Sequence, residues 1–213
     1  MHFLSPVLED YITQHSALEP ELLQQLTRET HLKVIQPRML TGHFQGRVLS
    51  MLSKLIRPTN ILEIGTYTGY SALCLAEGMD QNGQLHTIDI NAELHHIQRR
   101  YFNLSGYGEQ ITQHTGDAIA IIPTLTLEFD LVFIDAEKRN YDAYFECALQ
   151  KTKPGSVIIS DNVLWSGKVV APLEETDKAT ASLLHYNKKL ADDPRVETVL
   201  LPIRDGLTIS RVL

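Results

Sequence analysis

An α/β fold, with a mostly parallel sheet, helices on both faces and an antiparallel final strand, is what this sequence predicts, and three observations predict it. From residue 60 onward, short apolar runs alternate with segments of helical periodicity, the pattern of a parallel sheet covered on both sides. The last two apolar runs are separated only by Arg204, Asp205 and Gly206, a link containing Asp-Gly that is too short for a crossover and makes a hairpin. The chain is 213 residues long with no Pro/Gly/Ser-rich linker, enough for one sizeable core and one domain over 1–213.

Over residues 5–32, Val7, Leu8, Tyr11, Ile12, Leu18, Leu22, Leu23 and Leu26 recur at helical spacing with a break near Pro20, which predicts two helices. After Pro37, a third helix carries Phe44, Val48, Leu49, Leu52, Leu55 and Ile56 on one face and stops at Pro58. Residues 1–57 are therefore expected as N-terminal helices forming part of a cover over the site. Then come a strand at 60–64, a helix at 70–79, a strand at 84–90 and a helix at 92–104. A strand at 111–114, a helix at 118–125, a strand at 130–134, a helix at 141–149 and a strand at 156–160 follow. A helix near 176–190 leads into strands at 196–203 and 207–212, for seven strands in all. In such a sheet the binding site lies at the carboxyl ends of the strands.

Composition narrows the function. Hydrophobic residues at 43% and charged residues at 21% are ordinary for a globular protein, and no apolar run approaches the roughly 18 residues of a membrane span. Residues 1–11 include Glu9 and Asp10 and lack the basic start and apolar stretch of a secretory signal, so a soluble, cytoplasmic protein is expected. Cys74 and Cys147 fall inside predicted helices and read as two buried, reduced thiols. A net charge of -7 argues against broad attraction to nucleic acid and toward a small-molecule partner.

The first strand runs into Gly65-Thr66-Tyr67-Thr68-Gly69-Tyr70-Ser71, a glycine turn that opens a helix and lets a ligand approach the backbone. The third glycine of a dinucleotide fingerprint is missing, and Glu63 places negative charge where a pyrophosphate would sit. S-adenosylmethionine, with its ammonium and sulfonium, fits better, with Glu63 as the anchor on its methionine side. Asp89 ends the second strand, where a carboxylate can accept both ribose hydroxyls, and Gly116-Asp117-Ala118 can border the adenine.

The fourth strand ends in Asp135-Ala136-Glu137-Lys138 and the fifth in Asp161-Asn162. Two carboxylates and an amide at one sheet edge suit a hard divalent cation, magnesium first and manganese or calcium as alternatives, with room for two substrate oxygens. The bland alternative is that Asp135 and Asp161 only cap the following helices. A cation there would hold a vicinal diol, and Lys138 could take the phenol proton if nearby positive charge lowers its pKa. Trp165 reads equally as a pocket wall against an aromatic ring or as core. His95 and His96 read as a solvated helix face.

At Glu63 to Ser71, Asp135-Ala136-Glu137-Lys138 with Asn140-Tyr141, Asp161-Asn162-Val163-Leu164-Trp165 and Asp205-Gly206-Leu207-Thr208, the sequence resembles the cation-dependent O-methyltransferases, a family that includes the catechol and caffeoyl-CoA enzymes. The resemblance runs from about Arg38 to the end. It implies the Rossmann-like class I methyltransferase fold and methylation of one hydroxyl of a catechol-type small aromatic. It also implies Asp135, Asp161 and Asn162 as metal ligands, and Lys138 with Asp135 as the catalytic pair. By the same resemblance Thr41, Glu63, Gly65, Thr66, Ser71, Asp89, Ala118 and Glu137 would line the S-adenosylmethionine site. Met39-Leu40-Thr41-Gly42 matches the loop covering the cofactor, so Met39, Trp165 and Ser166 are the substrate-side candidates. Ser166 stands where the caffeoyl-CoA group often has an asparagine, and Gln45 replaces a common glutamate. A homodimer is inherited from the family and not read from composition.

Two competing readings remain. A hydroxylated tRNA base could replace the small aromatic, since Lys33, Arg38, Arg47, Lys54 and Arg57 make a modest basic cluster in sequence, although a solvated helix face is the plainer account of it. A nicotinamide-dependent oxidoreductase or a nucleotide-binding module without catalysis is the other class. It draws no support from the glycine spacing or the final hairpin.

Overall fold

The computed structural model describes residues 5–213, so the first four residues of the stretch read for a signal segment lie outside the described residues. Three helices come first: α1 (Pro6–Gln14), α2 (Glu21–Lys33) and α3 (His43–Ile56). Ser5 caps α1 by accepting from the Leu8 amide at 3.4 Å, and proline in its first turn forfeits only an amide that has no helical partner.

The alternating part follows as β1 (Asn60–Ile64), α4 (Tyr70–Ala76), β2 (Gln84–Asp89), α5 (His95–Leu104), β3 (Ile111–Thr115), α6 (Ala118–Ile121), β4 (Phe129–Ile134), α7 (Tyr141–Leu149) and β5 (Thr152–Asp161). It closes with α8 (Lys178–Asp192), β6 (Val196–Leu201) and β7 (Leu207–Val212). The seven strands form one sheet in the order β3-β2-β1-β4-β5-β7-β6. β1 to β5 pair in parallel, while β7 runs antiparallel to both β5 and β6, as the short hairpin link requires.

The layering follows from the two-residue period of the strands. On β1, Leu62 and Ile64 point to one apolar cluster with Val132, Ile134 and Ile158, which α7 and α8 cover through Tyr141, Phe145 and Leu183. Ile61, Leu85, Leu131, Phe133 and Ile159 point to the other, covered by α2, α3, α4 and α5 through Leu26, Leu49, Leu75 and Phe102. Both faces are thus dry, which is why the parallel strands read as apolar runs rather than as alternation.

Several boundaries differ from the sequence expectation by a residue or more, and four of them have a local reason. The helix expected to 79 stops at Ala76 because the chain turns at Gly78, where a Cβ would stand 2.2 Å from the Lys54 amide nitrogen of α3. The helix expected over 118–125 is a single turn, α6, followed by a 3-10 turn over Ile122–Thr124 that contains Pro123. β5 begins earlier, at Thr152, because Thr152 pairs with Phe129 across a register shift. β6 ends at Leu201 because Pro202 brings no amide to the ladder. Among the described residues, no helix is long and apolar enough to cross a membrane.

Candidate active site

A cavity of about 2130 Å³ opens at the carboxyl ends of β1 to β5, beneath the segment joining α2 to α3. That exceeds the several hundred Å³ of a site for one small ligand and leaves room for two side by side. Its lining includes Thr41, Gly65, Thr66, Ser71, Asp89 and Ala118, then Asp135, Glu137, Lys138, Asp161 and Asn162, and also Met39, Trp165 and Ser166. Of the residues expected in the site, Glu63 alone is outside that lining.

Glu63 is fully buried behind the turn. Ser71 donates to its Oε1 at 2.5 Å and Thr87 donates to its Oε2 at 2.5 Å. Burial pushes its carboxyl up to about 8, against the pull of those two hydroxyls, and the charges of Asp135 and Asp89 push the same way. Glu63 therefore reaches the cavity through Ser71, which does line it.

The turn itself is set by Gly65. Its φ is +99°, and a Cβ would stand 1.9 Å from the Asp135 carbonyl oxygen, so only glycine lets β1 and β4 come together here. Asp89 organises the same turn from β2: its Oδ2 accepts from the amides of Thr66 (3.0 Å) and Tyr67 (2.8 Å), and its Oδ1 from Asn91 (2.8 Å). The Tyr67 hydroxyl reaches back to donate to the Ile35 and Gln36 carbonyls at 3.2 Å, tying the cover to the turn. On the far side, Asp117 caps α6 by accepting from the Ile119 amide, which presents Ala118 to the cavity.

β4 and β5 supply the second half. Lys138 is only 7% exposed, and its ammonium donates to Asp135 Oδ1 at 2.9 Å and to the Tyr141 hydroxyl at 2.6 Å. That hydroxyl in turn donates to the Asp161 carbonyl at 2.8 Å. Nζ lies 5.9 Å from the Trp165 ring centroid, so Trp165 both lines the cavity and packs against the α7–α8 cluster. The Asp161 carboxylate accepts from the Asn162 amide at 2.7 Å and from Gln45 Nε2 at 2.6 Å. Burial first, then the charge of Asp135, pushes its carboxyl up to about 7. Glu137 is outward: it accepts from the Arg139 backbone and guanidinium, which holds its carboxyl below the usual range.

The backbone after β5 is unusual. Asn162, Trp165 and Ser166 have φ of 58°, 48° and 54°, left-handed values that non-glycine residues rarely adopt and that cluster at functional sites. The Ser166 amide donates to Asp205 Oδ1, which couples this segment to the β6–β7 link.

The sequence singles out Tyr141 as part of a motif and Gln45 as a departure from a common glutamate but gives neither a role, and it passes over Arg204. Gln45 and Arg204 meet their partners only across the fold. Of the basic cluster, Arg47 and Lys54 both pair with Glu77 (2.7 and 3.0 Å) and Lys33 pairs with Glu29 (3.0 Å), so three of its five cations are already matched. His95 and His96 are exposed, with His96 at the cavity rim. Cys74 is buried and Cys147 half-buried, and both are free thiols.

The sequence model described as O-methyltransferase matches residues 13–213. The chain belongs to the O-methyltransferase family. Among curated relatives of this O-methyltransferase, caffeoyl-CoA O-methyltransferase 5 of Nicotiana tabacum is 36% identical over 220 residues, covering 97% of this chain and 91% of the relative. Caffeoyl-CoA O-methyltransferase 1 of Arabidopsis thaliana is 35% identical over 217 residues, covering 96% and 83%. Among solved structures, the O-methyltransferase TomG of Streptomyces achromogenes, described as in complex with SAM, superposes with a TM-score of 0.89 at 29% identity, covering 97% of this chain and 96% of that one. An O-methyltransferase of Bacillus cereus, described in complex with SAH, gives 0.89 at 27% identity, covering 97% of each chain. The sheet order with its antiparallel final strand is thus the fold of known O-methyltransferases, and the nicotinamide-dependent and non-catalytic readings give way to it.

Proposed function

We propose that this enzyme transfers the methyl group of S-adenosylmethionine to one hydroxyl of a vicinal aromatic diol, with a divalent cation at Asp135, Asp161 and Asn162. The observation that carries the reading is that Asp135 and Asp161, at the ends of neighbouring strands, share one cavity with the glycine turn of β1. The names of the plant relatives support a caffeoyl-type acceptor.

The residues fit a cation. Asp161 is a buried carboxylate whose ionisation the neighbouring Asp135 opposes, and a countercharge between them would relieve both effects. Among the described residues, no three His, Cys, Asp or Glu side chains gather as a metal-binding group, so the proposed set relies on the side-chain oxygen of Asn162 beside the two carboxylates. Such an all-oxygen set suits magnesium, manganese or calcium better than zinc. When bound, the cation supplies a Lewis acid that chelates the diol and favours its phenolate. S-adenosylmethionine supplies a methyl group on a cationic sulfur.

The chain's own part is to orient and to move one proton. Gly65, Thr66, Ser71, Asp89, Ala118 and Thr41 form the donor's side of the cavity, with Glu137 at its edge and Glu63 supporting Ser71 from behind. Met39, Trp165 and Ser166 flank the acceptor's side. Lys138 Nζ, held by the Asp135 carboxylate and Tyr141 rather than set beside another cation, is placed to accept the proton of the attacking hydroxyl as the neutral amine, once its own ammonium proton has passed to solvent. The homodimer carried by the family resemblance belongs to the same proposal, as does a cytoplasmic location.

The test is methyl transfer from labelled S-adenosylmethionine to a panel of catechols and monophenols, with magnesium and with chelator. Diols are labelled only with the cation, and Asp161→Ala lowers that rate at least about 100-fold while S-adenosylhomocysteine still binds. Equal labelling of monophenols, or full activity in Asp161→Ala, would refute the cation model. Cofactor binding without labelling of any diol, together with salt-sensitive retention on RNA, would favour the tRNA substrate.

A further inference from the structure

Gln45 and Arg204 have no place in the reading above, yet they converge on it from opposite ends of the chain. We propose that they form a positioning relay that aims the Asp161 carboxylate at the cation and couples that aim to the closed position of the cover loop at Leu40 and Thr41. The inference rests on the cation reading.

Gln45 lies in the first turn of α3 and is 1% exposed, so its amide must find partners inside the protein. Its Nε2 donates to Asp161 Oδ2 at 2.6 Å, and its Oε1 accepts from Arg204 Nη1 at 3.2 Å. A side-chain amide can be turned over at no steric cost, but not here. A permanent donor stands on one side and a carboxylate on the other, so the reversed orientation would set amide nitrogen against guanidinium and amide oxygen against carboxylate. Arg204 thereby fixes which end of Gln45 faces Asp161. With one Asp161 oxygen held by Gln45 and the other by the Asn162 amide, the carboxylate cannot rotate about its own bond without breaking a hydrogen bond.

The same Nη1 also donates to the Leu40 carbonyl at 3.3 Å and to the Thr41 carbonyl. These are the residues of the cover on the donor's side of the cavity. Arg204 sits in the β6–β7 link with a φ of 47°, and that link is pinned by Gly206, where a Cβ would stand 2.5 Å from Leu164 Cγ. The guanidinium is therefore delivered from a rigid loop. When the cover lifts, Nη1 loses two of its three acceptors, and the orientation of Gln45 is the next contact to loosen.

The experiment measures Mn²⁺ affinity by electron paramagnetic resonance on the full chain without methyl acceptor, and S-adenosylhomocysteine affinity by calorimetry. The proteins are wild type, Gln45→Leu, Arg204→Met and the double variant, with circular dichroism as the check on folding. Gln45→Leu weakens Mn²⁺ binding about tenfold or more, the size expected for loss of a partner that orients a ligand. Arg204→Met weakens it in the same direction, and the double variant is no weaker than Gln45→Leu, because Arg204 acts on the cation only through Gln45. Arg204→Met alone also weakens S-adenosylhomocysteine, through Thr41. The relay is overturned if Mn²⁺ affinity in the variants stays within twofold of wild type, or if the two single effects multiply in the double variant. Should Gln45→Leu fail to fold, unchanged Mn²⁺ affinity in Arg204→Met, an exposed position, overturns the proposal by itself. Wild type that binds no Mn²⁺ would remove the cation reading along with the relay; wild type that binds while the variants match it would remove the relay alone.

Discussion

Glu63 makes folding of this enzyme proton-linked. Its carboxyl stands at about 8 in the fold against 4.5 for the free side chain, so between those values the folded chain holds a proton that the unfolded chain has released. The stability it contributes is fully present below about pH 4.5 and is lost as the pH rises through 8, with a slope on the order of 1 kcal/mol per pH unit inside that window. Urea denaturation at pH 5, 6.5 and 8 checks this: Glu63→Gln, which mimics the protonated form, loses that part of the slope. A variant that kept the wild-type slope would assign the linkage elsewhere. Glu77 has the opposite sign, since Arg47, Ser50 and Lys54 hold it at about 2 against the penalty of its burial, and its contribution is lost only as the pH falls from 4.5 toward 2. Of the glycines that line the cavity, Gly65 has the least room for a Cβ. Gly65→Ala must move the Asp135 carbonyl or unwind the turn, so it is expected to cost at least about 2 kcal/mol and to abolish S-adenosylhomocysteine binding, read by denaturation and calorimetry.

The helices differ in how firmly they are held. α1 has no fully buried side chain among those described and leaves Val7, Leu8 and Tyr11 exposed, whereas α2 buries Leu23, Leu26 and Thr30. Amide hydrogen exchange is therefore expected to be orders of magnitude faster in α1 than in β1 or β4, with α2 between them. Comparable protection in α1 would mean that something covers it in solution. Most elements could be read from the sequence because the parallel strands are apolar runs ended by a carboxylate or a glycine, as at Ile64-Gly65, Ile134-Asp135 and Ser160-Asp161. What could not be read was set by contact between elements: the stop of α4 at Gly78 against α3, and the left-handed backbone at Asn162, Trp165 and Ser166. The same divide runs through the site. Asp135, Lys138 and Asp161 announce themselves beside their strands, while Gln45 meets Asp161 across 116 positions and Arg204 across 159, a pairing no local pattern encodes.

One sheet with an apolar cluster on each face ties α2 to α8 into a common support, because every strand between β3 and β6 hydrogen-bonds to its neighbours. Thermal unfolding is accordingly expected as one cooperative transition, with calorimetric and van't Hoff enthalpies in agreement, and it shifts upward with S-adenosylhomocysteine. Two resolved transitions would divide the chain into separate units. The sheet order has a further consequence for how this protein can change. Because the strand sequence reverses direction between β1 and β4, the loops that would grip the methyl donor grow leftward from β1 through β3, and those that would grip the acceptor grow rightward through β4, β5 and the β6–β7 link. The two sets meet at the Gly65–Asp135 contact and at Arg204, which reaches the Leu40 and Thr41 carbonyls. New acceptors can therefore be explored by recutting residues 165–174 in a library while Arg204 and the donor half are left intact, which makes this scaffold a divisible one for directed evolution.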